Sequence, residues 1–278
     1  MIVREKQVKD YLSRSRIGEY TINPYVGCPH DCKYCYASFM KRFTGHPEPW
    51  GRFIDVKRCG KAVDLKKIDG KNVFIASVTD AYNPYEAKYG ITRSILEQLA
   101  DANCRLQIST KNKLILRDLD LLKRMRHLAV ALSVNTLDEG FRADMDNASS
   151  VRERLETLKT LHENGIYTIL FMSPIFIHIT DWRAIIEASR EFVSEYWFED
   201  LNLRGGYKRV ILDYVKSRYP QYYPSYDRIY LRGDKSEIGE LEEAICGYCD
   251  AQGVTYTDYF HHERVIRDNR NKILGKKR

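Results

Sequence analysis

The sequence predicts an α/β fold built on a parallel sheet or barrel. Three observations support this. Short β-branched runs alternate with amphipathic helical patterns, six such runs follow one another, and most of them end in polar residues. The runs are 20–27, 73–80, 105–111, 129–135, 166–173 and 197–203. Ile91, Ile95 and Leu99 recur on one helical face and place a helix after the second run. Ser150-Val-Arg-Glu153 is a capping-box pattern, opening a helix that reaches Asn164 and stops at Gly165. Further helical patterns cover 182–193, 208–218 and 238–251, the last closed by Gly253.

Composition bounds the class. The chain has 278 residues, 44% of them hydrophobic, with 16 Gly and 8 Pro, which excludes a disordered or collagen-like chain. Its longest apolar stretches, 73–78 and 166–172, are far shorter than the roughly 20 residues of a membrane-spanning helix. Charges fall in the first residues where a signal peptide carries its apolar segment, so the expectation is an unexported, cytoplasmic protein without a membrane partner. Lys and Arg (45) exceed Asp and Glu (38) to give +7, and residues 264–278 contribute most of it, with seven bases and one acid. Such a tail reads first as a solvated end and only secondarily as a contact for a polyanion such as nucleic acid. The expected division is an N-terminal extension over 1–19, the strand-and-helix body over 20–203, and a C-terminal extension over 204–278 with its basic tail from about 264.

Polar residues cluster where the runs end: Ser77, Thr79 and Asp80; Ser109, Thr110 and Lys111; Ser133 and Asn135; Ser173; then Asn202 and Arg204. In parallel α/β folds ligands bind at these ends, so the pattern predicts one ligand-lined rim.

The seven cysteines are too few and too unevenly spaced for a disulfide framework. Three of them, Cys28, Cys32 and Cys35, form a C-x3-C-x2-C loop directly after the first run. Thiolates are soft ligands suited to zinc or to iron–sulfur. A structural zinc wants a fourth ligand, and although His30 lies inside the loop, no matching Cys/His pair stands nearby. A [4Fe–4S] cluster held by three cysteines leaves one iron open to a small molecule, which points toward catalysis; a non-enzymatic zinc protein is the remote alternative.

The motif Cys28-x3-Cys32-x-Tyr34-Cys35, with an aromatic residue before its last cysteine, resembles the signature of the radical S-adenosylmethionine superfamily. Asn23-Pro-Tyr-Val-Gly-Cys28, Ser77-Val-Thr-Asp80, Lys88-Tyr-Gly-Ile-Thr92, Leu116-Arg-Asp-Leu-Asp120 and Ser133-Val-Asn-Thr-Leu-Asp138 resemble its spore photoproduct lyase-like branch. Tyr36-Ala-Ser-Phe-Met-Lys-Arg-Phe-Thr-Gly45, with Pro49-Trp-Gly51, is more similar still to radical SAM mobile pair protein B. The resemblance runs from about Tyr20 to the end of the chain, weakening after Arg218.

It implies a partial (β/α)6 TIM-like barrel whose C-terminal extension helps close the mouth, and an oxygen-sensitive enzyme. Cys28, Cys32 and Cys35 would hold a [4Fe–4S] cluster, and S-adenosyl-L-methionine would bind the open iron. Reductive cleavage would then yield a 5′-deoxyadenosyl radical that abstracts a substrate hydrogen. Tyr34 would lie beside the adenine, and Ser77, Thr79 and Asp80 would meet the methionine amino group. Ser109, Lys111, Ser133, Asn135 and Ser173 would line the remaining cofactor site, with Arg154 pairing the methionine carboxylate. Tyr82, Arg204, His261 and His262 are the substrate-side candidates. Implied partners are a one-electron reductant such as flavodoxin or ferredoxin and a second radical SAM protein. The substrate expected first is nucleic acid or a nucleotide, and otherwise a peptide, protein or metabolite.

One departure matters. The lyase returns a hydrogen atom from a cysteine that aligns with Ser77, and this chain has no cysteine between Cys59 and Cys104, so thymine-dimer lyase activity is not carried over. Cys246-x2-Cys249 reads as part of a core stripe with Ile238, Leu241 and Ile245. The tyrosine- and arginine-rich segment 214–232 could stack bases, but packing of the C-terminal extension is the preferred reading.

Overall fold

The computed structural model describes residues 1–15 and 17–260. The main sheet has eight strands. In chain order they are β2 (Leu12–Arg14), β3 (Tyr20–Ile22), β6 (Asn72–Ile75), β7 (Arg105–Thr110), β8 (Leu128–Ser133), β9 (Tyr167–Ile175), β10 (Glu195–Asp200) and β11 (Tyr256–Asp258). Six of them, β3 and β6–β10, are the six predicted runs, each parallel to the next in chain order. The fold is therefore α/β with a parallel sheet, as expected of a partial TIM-like barrel. Short β2 closes one edge antiparallel to β3, and β11 extends the other edge parallel to β10.

The sheet's two faces divide the labour. Val73, Ile75, Leu106, Ile108, Val130, Leu132, Leu170, Met172, Tyr196 and Phe198 are buried in one core with Ile95, Leu99, Leu158, Leu161 and Ile185 from the helices. Alternate positions face the barrel interior and are only partly covered: Phe74, Gln107, Ser109, Ser133, Phe171, Ser173, Trp197 and Glu199.

Local signals read from sequence set several boundaries. The helix Ile91–Leu99 buries Ile91, Ile95 and Leu99. Ser150 Oγ accepts from Glu153 N (3.3 Å) and Ser150 N donates to Glu153 Oε2 (2.9 Å), completing the capping box of helix Val151–Glu163. Gly253, at φ 64°, ends the helix Ser236–Gln252, which buries Ile238, Ile245 and Cys249. The pattern over 182–193 overran: the helix is Trp182–Ser189, ending where Ser189 Oγ turns back to Ile185 O at 2.6 Å.

A second, three-stranded sheet was not foreseen. β1 (Ile2–Gln7) runs parallel to β5 (Phe53–Arg58), and β5 pairs antiparallel with β4 (Tyr25–Val26). The single predicted run 20–27 thus divides between two sheets. The break falls at Asn23-Pro24: proline lacks an N–H for the ladder, and Asn23 turns its amide to Ser77 Oγ (3.0 Å) and its carbonyl to Val78 N (3.0 Å).

The segment after β10 packs with its tyrosines. Tyr226 is fully buried and donates to Ile177 O (3.1 Å), and Tyr214 donates to Asp144 Oδ2 (2.9 Å). Glu237, near the start of the last helix, receives Arg228 and Ser225 Oγ (2.8 Å) and faces His178 Nε2 (3.0 Å). Burial alone would raise its pKa, yet these bonds outweigh it and hold the carboxyl down at about 2, against an ordinary 4.5. A depressed acid contributes stability above its unfolded pKa and loses it as pH falls through the folded value. Glu237→Gln is expected to lower the thermal midpoint near neutral pH, and the gap to the unmodified protein should close as pH falls from 4.5 toward about 2. Thermal melts across that interval check it; a gap that persists at the acid end would refute the ion-pair account.

Candidate active site

The three-cysteine loop leaves β4 through Gly27, whose φ is +86°. A Cβ there would sit 2.3 Å from Phe53 O, so only glycine lets the chain turn this close to β5. Thr79 Oγ1 fixes the turn by donating to Gly27 O at 2.7 Å. Farther along, His30 O accepts from Asn147 N (2.8 Å) and Lys33 N donates to Met145 O (2.9 Å), tying the loop to the end of helix Glu139–Met145. On its outer side Asp31 contacts the backbone at Gly51 and pairs with Arg52 at 3.2 Å.

Asp80 anchors the inner side. Its Oδ1 accepts from Tyr82 N (2.8 Å) and Thr110 Oγ1 (2.7 Å); its Oδ2 accepts from Lys111 N (2.8 Å) and His30 Nε2 (3.1 Å). Burial raises the pKa of this carboxyl, but the His30 charge and these bonds prevail and hold it below the ordinary carboxylate value. Four donors fill a carboxylate, leaving no acceptor site for an ammonium group. Asp80, expected at the methionine amino group, here ties the loop to the ends of β6 and β7.

Arg154 is likewise committed. It is 1% exposed, donates from Nε to Ser149 O (2.8 Å) and from Nη1 to Ser133 O (3.2 Å), and pairs with Asp146. Asp146 also accepts from Tyr34 OH at 3.2 Å. Burial pushes the Asp146 pKa up, but Arg154 and Lys111 outweigh it and leave it depressed. Arg154 was expected to bind the methionine carboxylate; it holds Asp146, and through it the Tyr34 ring, which meets Phe176 edge-on at 5.8 Å.

The remaining expected residues divide into three groups. Around the loop stand Cys28, Cys32, Cys35, Tyr34, Thr79 and Lys111, whose Nζ lies 5.7 Å from the Tyr34 ring centre. On the interior face are Ser109, with its Oγ buried and unpartnered, Ser133, and Ser173, which donates to Glu199 Oε2 at 2.5 Å. The third group is engaged elsewhere. Ser77 Oγ receives Thr21 Oγ1 (2.9 Å) and Asn23 Nδ2, while Asn135 Nδ2 reaches Pro174 O (3.0 Å) as a tie between strand ends. Tyr82, expected near substrate, is fully buried beside Glu86 and Asp118, and its N–H donates to Asp80 Oδ1 at 2.8 Å. Arg204 is exposed and bonds Asn202. His261 and His262 lie outside the described residues.

Sequence reasoning missed three groups around Cys35. The Trp50 side chain hydrogen-bonds its thiol, Tyr36 donates to Ser77 O, and Glu199 acts electrostatically on both Tyr36 and Tyr207. The Pro49-Trp-Gly51 phrase was the available signal for Trp50. Glu199 escaped because the strand was expected to run to 203, whereas β10 ends at Asp200.

Burial pushes all three thiols of the loop upward, with Asp80 adding to the effect at Cys28 and Asp146 at Cys32, while the Lys111 charge draws Cys32 and Cys35 back. Among the described residues no three His, Cys, Asp or Glu side chains converge tightly enough for a single metal ion, yet the three thiols interact electrostatically with one another. His30 Nδ1, also in the loop, is buried without a partner.

A parallel sheet bearing a three-cysteine loop at the C-terminal edge of its strands defines an enzyme class, and comparison with known proteins identifies it. Residues 22–188 match the family model of the Radical SAM superfamily, and the chain belongs to that superfamily. An uncharacterized protein of Methanocaldococcus jannaschii is 38% identical over 207 residues, spanning 74% of this chain and 78% of that one. Among solved structures, a spore photoproduct lyase variant with bound AdoMet and dinucleoside spore photoproduct aligns with TM-score 0.58 at 18% identity, covering 79% of this chain. Streptococcus suis SuiB bound to S-adenosylmethionine aligns with TM-score 0.54 at 16% identity, covering 86%. The chain spans 66% of the lyase and 49% of SuiB, and at these identities the likeness is one of fold. The protein is thus an enzyme of the radical SAM class, and membership supports radical chemistry that cleaves S-adenosylmethionine.

The buried pair yields a prediction. Arg154→Met leaves Asp146 buried without its cation and is expected to destabilise by about 3–5 kcal/mol, whereas adding Asp146→Leu should recover much of the loss. Denaturant midpoints of the two variants decide; equal midpoints for Arg154→Met and the unmodified protein would show that the pair holds nothing in place.

Proposed function

We propose that Cys28, Cys32 and Cys35 hold a [4Fe–4S] cluster, that S-adenosylmethionine binds beside them at the C-terminal edge of the sheet, and that the substrate carries a nucleobase. The observation that carries this reading is the loop itself, three cysteines within eight residues, with Cys28 buried and Cys32 and Cys35 partly covered. Burial disfavours the thiolate form at each of them, and a soft metal centre is a partner that would stabilise it. The donor set also fits a cluster better than zinc. A cluster attaches each thiolate to a different iron and leaves the fourth iron open, which suits a donor set of three cysteines. The orphaned His30 Nδ1 marks a polar contact the protein alone does not make.

When bound, the cluster and S-adenosylmethionine together supply one-electron cleavage of the sulfonium and a 5′-deoxyadenosyl radical. The chain's own residues prepare the place. Asp80 and His30 fix the loop, the Asp146–Arg154 pair fixes Tyr34, and Lys111 sets a positive charge beside both Tyr34 and the thiols. On the interior face Ser109, Ser133, Ser173 and Glu199 offer polar contacts.

A nucleobase substrate is supported by the segment Tyr36–Phe43, which follows Cys35 directly. Its Phe39 and Phe43 are exposed, and the Arg42 guanidinium lies 5.6 and 4.6 Å from their ring centres, an arrangement suited to stacking bases beside phosphate. The lyase structure with the same fold holds a dinucleoside. Thymine-dimer repair is not proposed, because Ser77 stands where that chemistry needs a thiol.

The test is anaerobic reconstitution with iron and sulfide, reduction with dithionite, and mass-spectrometric assay of 5′-deoxyadenosine. Product that disappears in Cys32→Ala is expected; zinc in place of iron after anaerobic purification overturns the cluster. Single-stranded oligonucleotide should raise the yield, and Arg42→Ala with Phe43→Ala should remove that rise. Stimulation by peptides but by no nucleotide or oligonucleotide overturns the substrate reading.

A further inference from the structure

A cavity of about 550 Å³ lies away from the cysteine loop. It opens at the opposite edge of the main sheet, among the first residues of β6, β7, β8 and β9: Asn72, Arg105, Leu128 and Tyr167. Strands of this length separate the two edges by about 15–20 Å. The chamber therefore does not belong to the site described above.

Its lining is one-sided in charge. Arg105, Lys123, Arg126 and His127 line it, and no Asp or Glu does. Among the described residues none of these four has a carboxylate within ion-pair distance. Arg105 donates to Asn72 Oδ1 (2.7 Å) and Gly70 O (3.4 Å), and Lys123 donates to Asn164 Oδ1 (3.3 Å), all neutral acceptors. The side chains of Arg126 and His127 make no hydrogen bond or ion pair among the described residues. Glu19 is the carboxylate whose charge reaches Arg105, and it is held by Lys71 at 3.0 Å. The contrast with the adjacent surface is sharp: Arg124 pairs with Asp101 at 3.3 Å, and Arg93 with Asp120 at 2.8 Å. Three permanent cations lining one cavity, none of them in an ion pair among the described residues, form a site for an anion of two or more charges.

The other wall is apolar and partly flat. Phe74, Met125 and Leu128 line it with Tyr167, whose ring is 44% exposed and whose hydroxyl is fixed by Glu195 Oε2 at 3.1 Å. A ring held in place at a cavity wall stacks an aromatic ligand with little loss of freedom. We propose that this chamber binds a nucleoside phosphate, with the phosphates on Arg105, Lys123 and Arg126 and the base against Tyr167. The volume falls within the roughly 300–1,000 Å³ of small-ligand pockets. This site is separate from the radical chemistry, and the inference stands or falls independently of it.

Equilibrium dialysis on the full chain with ADP, pyrophosphate and adenosine is the test. ADP should bind with one-to-one stoichiometry, more tightly than either fragment, and less tightly as salt rises. Lys123→Glu and Arg126→Glu, both at exposed positions, should each weaken ADP by about tenfold or more, while Arg126→Lys retains most of the affinity and S-adenosylmethionine binding is unchanged in all three. Absence of ADP binding at millimolar concentration overturns the proposal, as does ADP affinity that neither Glu substitution alters. Pyrophosphate binding as tightly as ADP overturns the nucleoside part and leaves a bare anion site.

Discussion

Asp80 accepts four hydrogen bonds, from Tyr82 N, Thr110 Oγ1, Lys111 N and His30 Nε2, and through them one carboxylate joins three separate pieces of chain. The polar stretch after β6, the end of β7 and the cysteine loop are thereby held at fixed distances. A buried carboxylate is tolerable only when its lone pairs are filled, so the four bonds are each other's condition. The positions of Cys28, Tyr34 and Lys111 follow from this arrangement. His30 illustrates the coupling, because one ring nitrogen closes the Asp80 network while the other, buried in the loop, has no protein partner.

This organisation explains what the sequence could and could not disclose. Parallel strands buried on one face by helices write themselves as β-branched runs, and all six runs were legible; so were the Ser150–Glu153 capping box and the Gly253 stop, which depend on neighbours a few residues away. The second sheet was not legible. β1 reads IVREKQ, mostly exposed and charged, and becomes a strand only because β5 lies alongside it, 51 positions later in register. The same limit applied at the site. The cysteine spacing is local and stood out, but Asp146 reaches Tyr34 across 112 residues and carries no motif. Polar strand ends correctly marked the region, yet sequence could not tell a side chain that faces a ligand from one, like Asp80 or Arg154, whose hydrogen-bonding capacity other protein groups already take up.

The two edges of the sheet differ in how they treat charge. At the C-terminal edge charges are paired inside the protein: Arg154 with Asp146, and Arg117 with Glu86 and Asp118. These pairs neutralise one another, so what they contribute to the cysteine loop is geometry, with Lys111 left as the cation nearest the thiols. At the N-terminal edge Arg105 and Lys123 of the cavity lining donate to neutral acceptors. Paired charges build a scaffold, whereas unpaired charges of one sign recruit a ligand.

Buried ion pairs are a poor route to stability, since desolvation offsets most of their attraction and apolar residues of similar volume often serve as well. Their presence beneath the cysteine loop therefore calls for another explanation. An apolar side chain in place of Arg154 would fill space but could not direct Asp146, and without Asp146 the Tyr34 hydroxyl would have no fixed partner. Hydrogen bonds constrain direction as well as distance, which dispersion contacts do not. Three thiols set on a short, strained loop need that constraint, because Gly27 at φ +86° and Asp31 at φ 49° already place the backbone in conformations that local propensity does not favour. The polar network thus fixes a loop that its own sequence would leave free, and it does so from elements of the sheet that the apolar core makes rigid.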